Sequence, residues 1–328
     1  MKIIILFFAL ATSSLVFSQT DAEKLRDELK KQDALHDSLL PKKYWTYTSL
    51  FGLSGSQTAF VNWAAGGRNN IAVLSFINFS ATYEKRRLKW TNDVALALGG
   101  MYYTDSTGKK QGLQKTDDRI DLASSFGYEF KKHWFLTALG GFRTQFLNGF
   151  SFPNDSVPIS KFMAPGYVNF SLGIEYAPVD YFSVYLSPIA SKMTFVRDQR
   201  LANAGAFGVK AAELDESGNI LKPGLRFRSE IGAYFRVRFQ KEIFKNVEMK
   251  TRLELFSNYE HNPQNIDVNF ENIFTFKVNK WLQASLQWNL IYDDDIQIRD
   301  SKGRTGPRTQ FKSVLGLGIS YTLTNKKK

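Results

Sequence analysis

The chain has 328 residues, with 43 Lys and Arg against 31 Asp and Glu, a formal net charge of +12 and no cysteine. The lack of cysteine excludes a disulfide-stapled fold, a cysteine-ligated metal site and a thiol enzyme. Aromatic residues make up 15% of the chain, which argues against disorder, and a mean hydropathy of −0.27 is too polar for a bundle of membrane helices.

The first 18 residues have the pattern of a secretory signal peptide. Lys2 supplies the positive charge, residues 3–11 are apolar but too few to span a bilayer, and Ser18 is a small residue at the expected cleavage position. We therefore expect an exported protein. Because no cysteine is present, a lipid anchor on cysteine is not expected.

Residues 19–43 form the next segment, and the pattern predicts one amphipathic helix over residues 20–40. Thr20 and Glu23 fit a capping box, and Pro41 ends the helical pattern. The apolar residues recur near helical spacing, at Leu25, Leu29, Leu35 and Leu39. We expect a periplasmic helix that either folds back to occlude the following domain or binds a partner helix.

From residue 44 to residue 325 apolar and polar residues mostly alternate, which predicts β-strands. On this pattern Leu172 and Leu286 face one side of the sheet, and Ser171 and Gln287 face the other. Most apolar faces begin or end with Tyr, Trp or Phe, as the aromatic girdles of a membrane barrel require. The pattern therefore favours a transmembrane barrel over a soluble sandwich.

The connections between these strands alternate between short turns and long polar loops. The short turns lie at residues 84–87, 131–133, 178–180, 244–246 and 279–280. The long loops lie at residues 62–70, 104–115, 152–166, 197–224, 257–265 and 293–308. This alternation implies about twelve strands, an even number that leaves both chain ends on the side of the short turns.

The sequence thus predicts an all-β fold, a transmembrane antiparallel β-barrel over residues 44–325. We expect it in the cell outer membrane, surrounded by outer-membrane lipid, with the short turns and both termini in the periplasm. Residues 326–328 add a basic C-terminal tail.

Charged residues occupy the strand faces that would line the lumen. The predicted lumen charge network contains Arg119, Asp121, Arg143, Arg228, Glu230, Arg236, Arg238, Arg252, Glu254 and Glu271. Opposite charges are expected to pair in so narrow an interior, because an isolated charge is costly there. Acid and base nearly balance, so the sequence predicts no selectivity for one sign of charge.

A hydrolase at the barrel mouth is the enzymatic alternative. His261 and residues 293–295, all Asp, fall in two long loops, where such groups can activate a water molecule. Acidic loop residues are more commonly solvated or bind divalent cations. We therefore predict that the protein is not an enzyme and has no catalytic residue, cofactor or metal site.

Nucleic acid is not an expected partner, because the basic residues do not cluster on one face. Several of the basic residues lie in the short turns instead. Turns of this kind suit contact with anionic lipid headgroups.

One loop motif over residues 62–69 looks specific. Asn62, Trp63, Gly66, Gly67 and Arg68 form either a candidate docking loop or a tight loop in which a girdle aromatic precedes two glycines with positive φ.

Together with Trp90-Thr91-Asn92 and Leu186-Ser187-Pro188, this motif makes the chain resemble a known family. The family consists of uncharacterised outer-membrane β-barrel proteins of gliding, type IX secreting bacteria, defined as a domain of unknown function. The resemblance covers nearly the whole mature chain. It implies location and fold, and no activity or catalytic residue.

Two functions from different classes follow from the sequence. The first is a structural or accessory subunit of an outer-membrane assembly or secretion complex, in contact with other outer-membrane or periplasmic proteins. The alternative is a narrow channel for small polar solutes.

Overall fold

A computed structural model describes residues 44–58, 69–103, 112–151, 154–299 and 303–325, together with Arg26 and Glu28. The chain divides into two compact units, Met1–Tyr44 and Trp45–Lys328. In the first unit the backbone is helical at Arg26 and Glu28, and the rest of the predicted helix lies outside the described residues. The signal peptide, the basic tail and the candidate docking loop around Trp63 also lie outside them.

None of the helices in the described part of the chain combines the length and the apolar character needed to cross a bilayer.

The second unit contains sixteen strands among the described residues. They are β1 (Trp45–Thr58), β2 (Asn70–Lys85), β3 (Leu88–Tyr103), β4 (Gln114–Lys131), β5 (Trp134–Thr144), β6 (Gly166–Val179), β7 (Phe182–Phe195), β8 (Glu213–Leu214), β9 (Ile220–Lys222), β10 (Phe227–Phe244), β11 (Val247–Asn258), β12 (Ile266–Lys277), β13 (Leu282–Tyr292), β14 (Gln297–Arg299), β15 (Thr305–Pro307) and β16 (Gln310–Thr324). A short helix, α1 (Gln199–Asn203), follows β7.

Twelve of these strands close into one antiparallel barrel, in the order β1-β16-β13-β12-β11-β10-β7-β6-β5-β4-β3-β2. The first and last strands pair with each other, with Thr48 opposite Thr324 and Ser54 opposite Gly318. Closure leaves no free sheet edge. The predicted all-β barrel of about twelve strands is confirmed. The remaining strands form two hairpins within long loops, β8 with β9 and β14 with β15.

All five predicted short turns join neighbouring strands of the barrel. Three of them contain a residue other than glycine in the left-handed region, with φ of 56° at Arg86, 68° at His133 and 66° at Asn246. The start of β1 and the end of β16 meet at this end of the barrel, where the Tyr47 amide donates to Asn325 Oδ1 at 2.8 Å. Long connections lie at the other end.

The outer surface of the barrel is apolar. Leu315 is 76% exposed, whereas its neighbours Val314 and Gly316 are less exposed because they face the lumen. Aromatic rings cluster on the outside near the short turns, where the ring centroid of Trp45 lies 5.3 Å from Tyr83 and 5.8 Å from Trp90. An apolar band with aromatic residues at its edge is the surface of a barrel in a bilayer.

The closure of the barrel can be tested at Thr48 and Thr324, whose Oγ1 atoms lie 3.0 Å apart. The variant Thr48→Cys/Thr324→Cys should form a disulfide on oxidation, because directly opposed residues in antiparallel strands have the spacing that a disulfide requires. The native chain has no cysteine to interfere. The measurement is thiol titration of the folded barrel, with and without reductant.

A control pair, Thr48→Cys/Ser313→Cys, joins residues that are not opposed in the register, since Ser313 pairs with Trp288 on β13. This control should keep two free thiols. Free thiols in the first variant would mean that β1 and β16 do not pair in this register.

Candidate functional site

A network of ion pairs crosses the lumen between opposite walls of the barrel. On β4, Arg119 Nη1 donates to Oε1 of Glu271 on β12, at 3.0 Å. Strands β4 and β12 are six positions apart in either direction around the barrel. This ion pair therefore spans the diameter of the lumen.

Arg252 on β11 gives the network a second link between the two walls. Its Nη2 lies 3.3 Å from Glu271 Oε2 and 3.7 Å from Oδ2 of Asp121 on β4. Arg143 on β5 holds the same Asp121 Oδ2 through Nη2 at 2.9 Å and Nε at 3.2 Å. Glu254 lies 3.9 Å from Arg252 Nε and adds a third acid. We call the following six residues the central bridge: Arg119, Asp121, Arg143, Arg252, Glu254 and Glu271.

The acids of the central bridge accept additional hydrogen bonds from neutral side chains. Glu254 accepts from Tyr234 Oη at 2.9 Å and from Asn269 Nδ2 at 2.7 Å. Glu271, which is 5% exposed, accepts from Gln287 Nε2 at 3.1 Å. Three arginines and three acids make the bridge neutral as a whole. Arg119 Nε and Arg252 Nε are buried without a hydrogen-bond partner, but every member of the bridge contacts an opposite charge. Freeing any one of them would leave a charge unpaired.

A second ionic cluster lies nearer the long loops, around Lys192 on β7. Its Nζ lies 2.6 Å from Asp267, 2.8 Å from Asp293 and 4.0 Å from Glu230. Oxygens of Asp267, Asp293 and Asp294 come within 4.8 Å of one another, a spacing at which carboxylates can hold a metal ion. The Lys192 ammonium already pairs with two of these acids, and the geometry does not assign a further cation to them.

Arg228 on β10 connects this cluster to two long loops. Its Nη1 donates to the carbonyl oxygen of Gly208 at 3.0 Å, and its Nη2 contacts Glu230 at 3.0 Å and also Asp295. The neighbouring Phe207 has a left-handed backbone, with φ of 61°, and it lines a cavity in the lumen. The loop after β7 is thereby held against the mouth of the barrel.

Arg236 lies beside the central bridge, directly opposite Glu254 in the register of β10 and β11. Its Nη2 is 3.5 Å from Oε1 of Glu175, and its guanidinium lies 5.4 Å from the ring centre of Tyr185. The fully buried Tyr185 shares a hydrogen bond of 3.0 Å with Ser171. The predicted network is thus distributed over three groups, and Arg238 is the one predicted member with no ion pair among the described residues.

Two cavities lie within this ionic interior. The first has a volume of 390 Å³ and is lined by Arg236, Arg238 and Phe207, among others. The second, of 410 Å³, is lined by Arg119, Glu271, Gln287 and Lys312, among others. Arg143 and Arg252 line both cavities, so the central bridge forms part of the wall of each.

The long loops are also tied to one another. Lys161, in the loop after β5, pairs with Asp198, which caps α1 by accepting from the Leu201 amide at 3.0 Å. These two hydrogen bonds lower the pKa of the Asp198 carboxyl from its ordinary value of 3.8. Asp198 therefore stabilises the loop at pH values above its ordinary pKa, and this contribution is lost as the pH falls through the lowered pKa.

Replacing Asp198 with Ala should loosen this loop, because the cap and the ion pair are both lost. A lost helix cap costs about 1 kcal/mol, which corresponds to about a fivefold rise in the open population. We expect a similar rise in the rate of trypsin cleavage at neutral pH at Arg197 and Arg200, which are both exposed. The variant Asp198→Asn keeps the capping oxygen but loses the charge, so its cleavage rate should lie between those of the wild type and Asp198→Ala. Equal cleavage of all three proteins would show that the cap does not hold the loop.

The acids considered for a hydrolase are engaged in other contacts. Asp293 pairs with Lys192, Asp295 with Arg228, and Asp294 accepts from Asn265 Nδ2 at 2.6 Å. His261 is exposed in the loop between β11 and β12. In the part of the chain that the structure describes, His261 forms no hydrogen bond or ion pair with any of these three aspartates.

Comparison of sequences gives one partial match. Residues 56–150 match the profile of a family described as "Protein of unknown function (DUF3078)". A search of curated protein sequences gives no match.

Several solved structures of outer-membrane barrels are similar in fold. An outer membrane channel from Pseudomonas putida F1 is 12% identical, with 87% of this chain and 100% of that chain covered and a TM-score of 0.37. The translocator domain of autotransporter NalP from Neisseria meningitidis is 10% identical, covering 92% and 97%, with a TM-score of 0.33. The outer membrane channel DcaP of Acinetobacter baumannii is 7% identical, covering 85% and 96%, with a TM-score of 0.30. Similarity at this level does not extend to function.

Proposed function

We propose that the chain is an outer-membrane β-barrel protein whose lumen is closed to solutes by the central bridge. We further propose that it serves as a structural or accessory subunit of an outer-membrane assembly or secretion complex. The observation that carries this proposal is the Arg119–Glu271 ion pair, which joins diametrically opposite strands at 3.0 Å. The apolar outer surface supports the location in a bilayer.

The central bridge opposes free passage because its members are anchored on strands. Arg119 and Asp121 project from β4, whereas Arg252 and Glu271 project from β11 and β12. Opening a path would require these charges to separate in a confined interior. Separating a buried pair is strongly unfavourable, since each partner is left uncompensated.

A role through contacts is supported by the long-loop end of the barrel. Apolar side chains are exposed there on two loops: Phe146, Leu147, Ile159 and Phe162 on one, and Leu214, Ile220, Leu221 and Leu225 on the other. Exposed apolar groups beyond a membrane barrel are suited to binding another protein. We place this end at the cell surface and both termini in the periplasm, as in single-chain bacterial barrels.

The accessory role can be tested by gentle detergent extraction of native membranes, followed by size measurement of the particle that contains the barrel. The expected particle is larger than a single barrel in detergent, and Ile220→Ser/Leu221→Ser in the β8–β9 hairpin should reduce its size. Leu315→Ala, on the membrane-facing surface, is the control and should not change it. A lone barrel in every extract would contradict the accessory role.

A narrow channel for small polar solutes is the second candidate, and the two lumen cavities of 390 and 410 Å³ favour it. In this case the central bridge would be a constriction that water and small solutes bypass. Liposome swelling distinguishes the candidates, because only a channel admits small sugars and amino acids. We expect no swelling from the wild-type barrel above that of empty liposomes, and rapid swelling would favour the channel.

A further inference from the structure

Two cations of the lumen have no ionic partner within the described residues. Arg238 on β10 and Lys250 on β11 belong to no ion pair within 4.0 Å and to no side-chain hydrogen bond among these residues. By contrast, Arg119, Arg143 and Arg252 all contact acids.

These two cations are close neighbours on the lumen wall. Arg238 lies directly opposite Arg252 in the register, and Lys250 is two residues before Arg252 on the same face of β11. Arg238 and Lys250 are therefore diagonal neighbours, at a spacing that long side chains can bridge. Arg236, two residues before Arg238 on β10, completes a cluster of three cations with them.

The acids that face this cluster do not neutralise it. Glu175 lies 3.5 Å from Arg236 and is engaged there. Asp93, on β3, lines the same cavity as Arg236 and Arg238 but forms no ion pair within 4.0 Å among the described residues. Glu254 lies directly opposite Arg236 in the register but belongs to the central bridge, whose three arginines and three acids balance. Outside the bridge, three cations face two acids, which leaves a net charge of +1 at Arg238 and Lys250.

The cluster also contains a buried donor without a partner, as do Arg119 and Arg252 of the central bridge. Arg236 is 9% exposed, and its buried Nε has no hydrogen-bond partner. A buried donor without a partner costs free energy unless a water or an ion satisfies it. Lys250, in contrast, is exposed to the lumen, so the cluster is accessible from inside the barrel.

We propose that Arg236, Arg238 and Lys250 form a binding site for a small oxyanion, of which inorganic phosphate is the simplest example. A guanidinium offers a planar fork of donors that matches oxyanion geometry, and an ammonium adds a compact charge. Lipid headgroups are not the expected source, because these side chains face the lumen rather than the membrane. Arg236 and Arg238 lie beside the central bridge, opposite Glu254 and Arg252, and Lys250 lies nearer the short turns. The proposed site does not depend on whether the barrel conducts.

The test is titration calorimetry of the full-length barrel in detergent with inorganic phosphate, in chloride buffer at constant ionic strength. We expect saturable binding of one phosphate per chain. Arg238→Gln/Lys250→Gln should weaken it at least tenfold, because both unpaired charges are removed. The matched control Lys245→Gln/Lys280→Gln removes the same charge from two short turns and should bind as the wild type does.

Two further arms keep the result interpretable. Lys250→Arg should retain binding and Lys250→Gln alone should weaken it, so the proposal stays testable if the double variant fails to fold. Acetate in place of phosphate shows whether the site accepts carboxylates as well. The absence of saturable phosphate binding to the wild type, or undiminished binding by the folded double variant, would overturn the proposal.

Discussion

Replacing Leu286 with Arg should impair folding of the barrel far more than replacing the adjacent Gln287 with Arg. Leu286 lies at the centre of β13 and faces the membrane between Phe274 and Leu315. An arginine at the bilayer midplane costs about 2–4 kcal/mol. Gln287 faces the lumen and donates to Glu271, so an arginine there meets a carboxylate instead of lipid. Refolding yield into lipid vesicles, read from heat-dependent gel migration, measures the difference.

Arginine substitutions at Leu172 and Ser171 separate the two faces of the barrel less well. Leu172 is exposed on the outer surface, but Ser171 is 4% exposed and bonded to Tyr185, so an arginine there also breaks a buried contact. The pair on β13 is therefore the better test. Equal loss from both β13 variants would mean that the assignment of the two faces is wrong.

Glu271→Ala should destabilise the folded barrel by about 3–5 kcal/mol, the cost of leaving a buried ionic partner unpaired. Glu271 is the acid that joins the two walls, since it contacts both Arg119 at 3.0 Å and Arg252 at 3.3 Å. Without it, two partly buried arginines lose a counter-charge. Equilibrium unfolding in urea from lipid vesicles gives the free energy directly.

Glu248→Ala provides the control for this loss, because it also removes a glutamate from the lumen face. Glu248 pairs with Lys277 at 3.2 Å near the short turns, where both side chains are partly exposed. Pairs of this kind contribute about 0–1 kcal/mol. A loss from Glu271→Ala no larger than that from the control would show that the central bridge does not stabilise the barrel.

The strand number and the turns could be predicted from the sequence because both depend on local patterns. Alternation marks each strand, and the five short turns fall between alternating stretches without exception.

Phe76 breaks the alternation of β2, because this apolar side chain faces the lumen. The reason lies on the neighbouring strand, where a Cβ on Gly52 would come within 2.1 Å of the Phe76 ring. The missing side chain of Gly52 makes room for that ring.

The partners of the charged residues could not be predicted in the same way. Arg119 and Glu271 are 152 residues apart, and their contact depends on the order of the strands around the closed barrel.

Lys192 is absent from the predicted lumen charge network for a different reason. The registers of β6–β7 and β7–β10 shift beside Pro188, and the shift moves Lys192 from the face that strict alternation gives it to the lumen.

The most direct test of a closed lumen is single-channel recording of the full-length protein in planar bilayers. We expect few or no stable openings from the wild type and from Glu248→Ala/Lys277→Ala, whose pair lies away from the central bridge. Arg119→Ala/Arg252→Ala, which removes both links between the two walls, should open a conducting path. Large, stable conductance from the wild type would contradict a closed lumen. Conductance that appears only after deletion of residues 20–40 would assign the closure to that segment instead.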